Sequence, residues 1–429
     1  MSSAKEHTAR NVAALLGDFI LFSIGFAFYD PMVVVPAFVQ EFSGSRLLVG
    51  GLSALRVLMV TLPQIWAASL LHVAPRKKPV LIWSSFIGRL PILILALATL
   101  LWVDTHPVLV FALLAVATAV FFTSEGLNGV SWPTLVGRVV PEGIRGRFFG
   151  AGQLLSSVGA ALAGLVVNRL LRWGGVDVST RWAVLFAIGF VGLMASVLSM
   201  LFIRERAESA PYTKVDVGRS LRLMAGYLRV DADLRRLVMA NLVLGLAGSV
   251  FPFIVGRASQ VVPGVEARLG SFVTVQSVGG AAAALLGGYL IDRLGSWAAI
   301  RMAAFVEALG ILAVTVAPLT AAPLTFYLVA YFLLGYVTAS LWWSISAYLL
   351  ELAPEDERPM YLATSGILGA LGALNPVIAG VLFETLAPEH VFGGAVVLAL
   401  VGLALAWMLR KQRQGAAPAE GIATGVIQG

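Results

Sequence analysis

About twelve apolar runs, each long enough to cross a membrane as a helix, divide this chain into two similar halves around one basic loop. Inside a bilayer every backbone N–H and C=O group must be satisfied within the protein, so runs of this length predict helices rather than strands. We therefore predict an all-α integral membrane protein with 12 transmembrane helices in two pseudo-symmetric six-helix bundles. The runs lie near residues 11–38, 46–72, 79–102, 107–138, 147–171 and 181–203, and near 236–257, 268–292, 298–318, 323–352, 360–386 and 390–409.

Composition and charge place the chain in lipid rather than in water. It is 59% hydrophobic and 12% charged, whereas soluble proteins carry about 25% charged residues. A net charge of +7 is also found in nucleic-acid-binding proteins, but here the basic residues lie in short loops between the apolar runs. They concentrate on the loops that share a side with both termini. By the positive-inside rule we predict a multi-pass protein of the cell (inner) membrane with cytoplasmic termini, and no nucleic-acid partner.

The run boundaries predict five segments: a tail at 1–10, a first bundle at 11–203, a linker at 204–235, a second bundle at 236–410 and a tail at 411–429. No small-residue cleavage site follows a short apolar core near the start, so we expect the first run to remain as a helix. Apolar residues at mixed three- and four-residue spacing in the linker predict an amphipathic helix on the inner leaflet, or alternatively a solvated tether. The final tail is small and polar, which predicts disorder.

Two motifs identify a family. The sequence PEGIR at 141–145 follows the fourth run, and the similar sequence PEDER at 354–358 follows the tenth. This similarity indicates that the second half repeats the first. Residues 288–295, GYLIDRLG, resemble the G-x-L-x-D-R-x-G signature of the major facilitator superfamily. A weaker copy of this signature lies in the first half at residues 68–78, where His72 stands in place of the aspartate. The resemblance covers roughly 11–410 and implies two bundles that rock about a midplane site. It also implies that spans one, four, seven and ten line the cavity.

Charges near the inner helix ends predict a cytoplasmic gate. The loop between the fourth and fifth runs is net basic and its second-half counterpart is net acidic, so the two should meet when the inner side closes. Exposed ion pairs contribute only about 0–1 kcal/mol each to stability, so a network of several pairs is required to hold the gate closed. Alternatively these charges only mark helix ends. The predicted gate comprises Arg138, Arg145, Glu351 and Arg358, and the resemblance to the family's signature implies that Asp292 and Arg293 also belong to it.

Ionisable residues at membrane depth cost at least about 2.5–3.5 kcal/mol each on insertion scales, so they tend to be paired or functional. Counting residues from the helix ends places Asp30 and Arg56 at one depth, and Arg89 and Glu125 at another. We predict two ion pairs on this basis, Asp30–Arg56 and Arg89–Glu125.

Glu125 is the first candidate for proton coupling. It begins the sequence EGLNG, which resembles the fourth-span R-x-x-polar-G pattern of proton-linked family members, with Glu in place of Arg. A carboxylate in an apolar cavity can exchange a proton when a neighbouring cation moves away. A permanent structural pair with Arg89 and a direct substrate contact are the alternatives. Asp30, before Pro31, is the second candidate; it could instead cap a helix break or pair with Arg56.

Aromatic and polar residues on the predicted spans are candidate substrate contacts. Their alternatives are core packing, the interfacial aromatic belt and interhelical hydrogen bonds. The candidates are Tyr29, Asn128, Trp132, Phe251, Phe253, Gln276, Trp342, Trp343 and Asn375.

The resemblance implies a secondary transporter that moves a small organic solute by alternating access within one chain, which we expect to act as a monomer. Our first expectation is proton-coupled efflux of an amphipathic compound. Uptake of a polar nutrient such as a sugar, and lipid or lysolipid flipping on the same fold, are the alternatives. No G-x-x-x-x-G-K-[ST] motif is present, cysteine is absent, and the four histidines fall in loops or tails. We therefore predict no enzyme activity, no metal site and no cofactor.

Overall fold

The computed structural model describes residues 2–73, 76–205, 226–353 and 372–410. In the first half the helices are α1 (Ser2–Ala27), α2 (Val34–Phe42), α3 (Arg46–Val73), α4 (Lys78–Trp102), α5 (Pro107–Val139), α6 (Glu142–Leu171) and α7 (Val178–Met200). In the second half they are α8 (Ala232–Ala247), α9 (Ile254–Val261), α10 (Leu269–Leu294), α11 (Ser296–Val316), α12 (Pro323–Leu352), α13 (Asn375–Thr385) and α14 (Pro388–Trp407).

Eleven helical segments of the described chain are long and apolar enough to cross a membrane, and the shorter apolar segment Gly372–Thr385 stands at the eleventh position of the predicted order. The predicted all-α membrane fold is confirmed. Most of the predicted linker helix and the predicted tail at 411–429 lie outside the described residues.

The first and seventh spans are interrupted, each at a proline. The first span breaks between α1 and α2, where Pro31 has no N–H to donate. The Oδ1 atom of Asp30 accepts hydrogen bonds from the N–H groups of Met32 and Val33, both at 2.8 Å. In the seventh span a 3-10 segment, Gly248–Phe253, contains a second proline and joins α8 to α9. Polar capping therefore compensates for the interruption of the first span inside the membrane.

The largest cluster of buried apolar residues includes side chains of both halves, and smaller clusters lie within each half. The helices of the two halves meet mainly through α6 against α10 and α3 against α13. These interfaces bring main chain against main chain. A Cβ atom at Gly270 would lie 1.8 Å from the carbonyl oxygen of Gly164, and one at Gly50 would lie 2.3 Å from that of Pro376. Only glycine permits helices to approach this closely.

The two ends of the molecule differ in charge. We name the end that holds the start of α1 and the end of α14 the basic face; it carries Arg10, Arg76, Lys78, Arg204, Arg301 and Arg410. We name the opposite end the far face. The close contacts of α6 with α10 and of α3 with α13 lie toward the far face, because Gly270 and Gly50 stand near the far-face starts of their helices.

We expect Gly270→Ala to weaken closure of the far face, because the added Cβ meets the main chain of α6 rather than a movable side chain. The chain contains no cysteine, so spin labels at Ser43→Cys and Leu386→Cys report one distance between the halves. Double electron–electron resonance should show a longer and broader distance distribution in the variant. Gly393→Ala is the matched control, since a Cβ there meets no atom within 4 Å. An unchanged distribution for Gly270→Ala contradicts the proposed role of this contact.

Candidate functional site

A cavity of about 490 Å³ lies between the two halves, bounded by α1, α6, α10 and α12. This volume is within the range of about 300–1,000 Å³ found for small-molecule sites. The α1 wall is largely aromatic, whereas hydroxyl and amide side chains are spread over the other three walls. The lining residues are Phe19, Phe22, Ser23, Phe26 and Ala27 on α1, Asp30 in the break that follows α1, and Gln153, Ser156, Ser157, Ala160, Val273, Gln276, Ser277, Gly280, Gly335, Thr338 and Ala339 on the other helices.

The polar side chains of this central cavity offer mainly hydrogen-bond acceptors. Ser156, Ser277 and Thr338 donate their hydroxyl hydrogens to main-chain carbonyl oxygens at 3.1, 2.8 and 3.0 Å. A hydroxyl has one hydrogen, so the lone pairs of these oxygens remain for a ligand. The Oε1 atom of Gln276 is buried without a hydrogen-bond partner. No Lys, Arg or His is among the described residues that line the cavity, which therefore suits a solute that donates hydrogen bonds better than an anion.

Among the predicted substrate contacts, Gln276 lines the cavity and Trp343 lies just beyond it. Trp343 is one helical turn from Ala339 toward the basic face, and Phe149 is one turn from Gln153 in the same direction. The rings of Trp343 and Phe149 lie 6.4 Å apart and join the two halves at this rim. Trp343 is 55% exposed, so it stands at the opening of the cavity rather than in its wall.

Several other candidates pack away from the cavity. Tyr29 is buried inside the first half, where its hydroxyl lies 3.0 Å from that of a threonine on α5. Phe251 and Phe253 are buried in the 3-10 segment of the seventh span. Asn375 begins α13 and is not among the cavity-lining residues. The side chain of Trp342 lies outside the described residues.

The cavity walls differ from the family-based expectation: spans one, five, eight and ten line it, rather than one, four, seven and ten. The reason is side-chain size. The fifth and eighth spans present glycine, serine, alanine and glutamine to the gap between the halves, whereas the bulky aromatic residues of the fourth and seventh spans fill the apolar cores. Periodicity does not show which face of an apolar helix meets the other half.

A buried guanidinium lies between two carboxylates in the first half. Arg89 of α4 interacts electrostatically with Glu125 of α5 and with Asp18 of α1. Trp132 Nε1 donates to Asp18 Oδ2 at 2.8 Å, and Asn128 Nδ2 donates to Glu125 Oε1 at 3.1 Å. Arg89 is only 1% exposed, so solvent does not compensate for its charge. We name these five residues the Arg89 network; Trp132 and Asn128, predicted as substrate contacts, belong to it.

The Arg89 network touches the back of the cavity wall. The Arg89 guanidinium lies 5.6 Å from the ring centroid of Phe22, and the Trp132 ring lies 5.6 Å from that of Phe19. Both phenylalanines line the central cavity. A solute that displaces these rings would therefore move the groups that surround the two carboxylates.

Asp30 lies at the end of the cavity nearer the far face. Besides capping the break in the first span, it interacts electrostatically with Arg56, and the Gln276 side chain of α10 lies near it. Next to it, the Tyr331 hydroxyl donates to the carbonyl oxygen of Met32 at 3.4 Å. Asp30 thus stands where the two halves meet; it caps the break in the first span and lies within electrostatic range of Arg56 without forming a salt bridge.

The two pairs predicted from depth are neighbours in the structure. Asp30 interacts with Arg56, and Arg89 interacts with Glu125, although neither pair is a direct salt bridge within 4.0 Å. The sequence analysis did not include Asp18 in the second pair. It lies nearer the end of its run, and only the packing of α1 against the first-half helices brings it to Arg89. The proton-coupling roles of these residues remain predictions.

Three members of the predicted cytoplasmic gate have described side chains with contacts inside their own half. Arg138 pairs with Glu205 of the first half at 3.2 Å, and Glu351 accepts from the Ser296 hydroxyl of the second half at 2.7 Å. The Arg293 guanidinium lies 5.9 Å from the ring of Tyr289 on its own helix. The side chains of Arg145, Asp292 and Arg358 lie outside the described residues. A meeting of the gate charges between the halves remains a prediction.

Sequence reasoning missed the bonds that close the far face. The Arg46 N–H donates to Glu384 Oε1 at 3.0 Å, and its guanidinium donates to the carbonyl oxygen of Phe383. Asn168 donates to the Ser271 hydroxyl at 2.7 Å and accepts from the Ser271 N–H at 3.1 Å. A series of small residues on the fifth span, which includes Gly159 and Gly164, is a sequence signal for the contact of α6 with α10, because small residues permit close helix approach. It does not show which helix approaches.

We expect Arg89→Met to destabilise the protein by about 3–5 kcal/mol, because it removes one partner of a buried charge network. Adding Asp18→Asn and Glu125→Gln in the same chain should restore most of this loss, since no uncompensated carboxylate then remains. Chemical unfolding in mixed micelles measures both values. Arg293→Met is the control at an exposed arginine and should change stability by less than about 0.5 kcal/mol. If the triple variant is no more stable than Arg89→Met, the electrostatic account is wrong.

Comparison with known proteins agrees with this architecture. The family model described as Major Facilitator Superfamily matches residues 18–323 and 266–426. A variant of the nucleoside transporter NupG superposes with a TM-score of 0.72 at 13% identity, covering 93% of this chain and 100% of that chain. For the D-xylose-proton symporter the TM-score is 0.70 at 16% identity, covering 96% and 100%. For a bacterial homologue of the iron transporter ferroportin in an inward-facing state the TM-score is 0.67 at 14% identity, covering 94% of this chain and 98% of that chain.

No curated protein sequence matches this chain. The chain belongs to the major facilitator superfamily and is a multi-pass membrane transporter, not an enzyme.

Proposed function

We propose that this transporter carries a small solute that has one apolar face and several hydroxyl or amine donors, and that it couples this movement to protons. The central cavity carries the proposal: an aromatic wall stands opposite a set of hydrogen-bond acceptors, and no cationic side chain is among its described lining. Sugars and nucleosides have this chemistry. Structurally similar proteins include a nucleoside transporter and a D-xylose-proton symporter, which is consistent with the proposal although their identities of 13% and 16% indicate fold alone.

The composition of the cavity favours uptake of a polar solute over efflux of an amphipathic compound. A cavity for an amphipathic compound would be rich in aromatic residues and poor in hydrogen-bonding groups. Two glutamines, one from each half, and several hydroxyls instead line this cavity, and this favours uptake of a polar solute. The phenylalanine wall keeps efflux of an amphipathic compound as the second candidate. We further propose that the basic face is cytoplasmic at the inner membrane, and that one chain is the working unit.

Proton coupling is proposed for the Arg89 network. When all its groups are ionised, two carboxylates face one guanidinium and the network holds one excess negative charge. An uncompensated buried charge is costly, so a proton on Asp18 or Glu125 balances the network. Phe22 and Phe19 separate this network from the solute cavity by one ring each. Solute entry and protonation thereby act on the same side chains.

We expect Gln276→Leu to weaken solute binding by about tenfold, because it removes a buried acceptor whose hydrogen bond contributes about 1 kcal/mol or more. The measurement is a thermal-shift screen of the purified protein with sugars, nucleosides, organic acids, cationic and neutral amphiphiles and lysolipids, followed by titration of each hit. Gln260→Leu makes the same chemical change at an exposed site outside the cavity and should leave the affinity unchanged. Hits confined to organic acids or lysolipids contradict the proposed solute class.

We expect Glu125→Gln to abolish accumulation of solute against its gradient while solute exchange across proteoliposomes continues, because exchange needs no net proton movement. Asp18→Asn should likewise abolish accumulation and retain exchange if both carboxylates share the coupling proton. Asp104→Asn, at an exposed position, is the control and should retain both activities. Solute movement in the same direction as the protons indicates uptake, and solute movement in the opposite direction indicates efflux. Accumulation that persists in both variants contradicts coupling through the Arg89 network.

A further inference from the structure

A second cavity, of about 620 Å³, opens on the basic face of the first half, away from the central cavity. The start of α4, the end of α7 and the segments beside them form it. Its polar lining consists of Arg76, Lys78, Arg204 and Glu205. Its apolar lining includes Ile82 and Trp83 on the first turns of α4. We name it the basic pocket.

The charge of the basic pocket is positive despite its one acid. The Glu205 side chain is 2% exposed. Its carboxylate accepts the N–H groups of Lys77 and Lys78 at 2.9 and 2.8 Å and pairs with Arg138. Because Glu205 is buried and fully engaged from behind, the cationic groups dominate the open side.

Two of these cations retain capacity for a ligand. Lys78 Nζ donates to the carbonyl oxygens of Leu201 and Ile203 at 2.8 and 2.6 Å, which leaves one ammonium hydrogen. Arg76 is exposed and forms no hydrogen bond or ion pair with the described residues. Arg10 also lies close enough to interact with Lys78. A group with several negatively charged oxygens would satisfy these donors together.

The surroundings identify the source of that group. Trp83 lines the pocket and is 63% exposed. From it an exposed apolar stripe continues along α4 through Ile87, Leu90, Ile94 and Leu97, at the three- and four-residue spacing of one helix face. The cations therefore lie at the membrane surface, directly above a strip of helix that faces acyl chains. Basic pockets at this level bind anionic lipid head groups.

We propose that the basic pocket binds the head group of an anionic phospholipid of the adjacent leaflet, with Arg76 and Lys78 on the phosphate and Trp83 against the upper acyl chain. The pocket lies wholly within the first half. A bound lipid would therefore hold α4 against the end of α7 without linking the halves, so it would stabilise the first bundle in every state of the transport cycle.

The test uses the full chain in bilayers of phosphatidylcholine that contain increasing amounts of brominated phosphatidylglycerol, which quenches tryptophan on contact. The chain has 10 tryptophans, so subtracting the signal of Trp83→Phe isolates Trp83. We expect brominated phosphatidylglycerol to quench Trp83 at lower mole fractions than brominated phosphatidylcholine. Arg76→Gln should weaken this preference by about fivefold, as expected for one cation at an anionic surface. The same substitution at Arg229, which is exposed on the basic face of the other half, should leave it unchanged.

Equal quenching by the two lipids, or equal effects of Arg76→Gln and Arg229→Gln, would overturn the proposal. Displacement of the lipid by soluble glycerol phosphate at millimolar concentration would also overturn it, in favour of a soluble phosphate ester as the occupant. Arg76 forms no hydrogen bond or ion pair with the described residues, so its variant should melt at the wild-type temperature in phosphatidylcholine alone. That measurement separates loss of the site from loss of the fold.

Discussion

The absence of water from the hydrocarbon core is the constraint on which this structure depends. Every main-chain donor and acceptor must find a partner inside the protein, and continuous helices meet that requirement nearly everywhere in the described chain. Where the first span breaks, Asp30 supplies the missing acceptor. The same constraint makes each buried charge conspicuous. Arg89, Asp18 and Glu125 lie on packed helices that place these charges next to one another and away from lipid.

The two halves repeat a fold but not a chemistry. The first half holds the Arg89 network and the Asp30–Arg56 neighbours, while the neutral Gln276 stands on α10, the second-half counterpart of the helix that carries Arg56. The central cavity lies between a half with ionisable groups behind its aromatic wall and a half that offers neutral acceptors. In the function proposed above, this division would let the first half respond to protonation while the second mainly recognises the solute.

The sequence predicted the fold closely because helix length and apolar character in a membrane depend on local composition. The depth of Arg89 and Glu125 followed from counting residues along helices of constant rise. The identity of the cavity walls could not follow from the same arithmetic. Trp132, Phe251 and Tyr29 are aromatic residues on the expected helices, yet helix rotation turns them into the core of one half. Ser156 and Ser277 line the cavity although serine in an apolar run equally predicts simple helix packing. Rotation about the helix axis is a tertiary property, and a single sequence does not record it.

The reciprocal pair of Asn168 with Ser271, beside the contact of Gly164 with Gly270, has a consequence for hydration. Separating the halves at the far face exposes these polar groups and the adjacent main chain, and water must replace each lost bond. Opening this face therefore takes up water, while closing it releases water to the bulk. An impermeant osmolyte that lowers water activity would therefore favour the closed far face, which makes osmotic pressure one of the conditions that act on this contact.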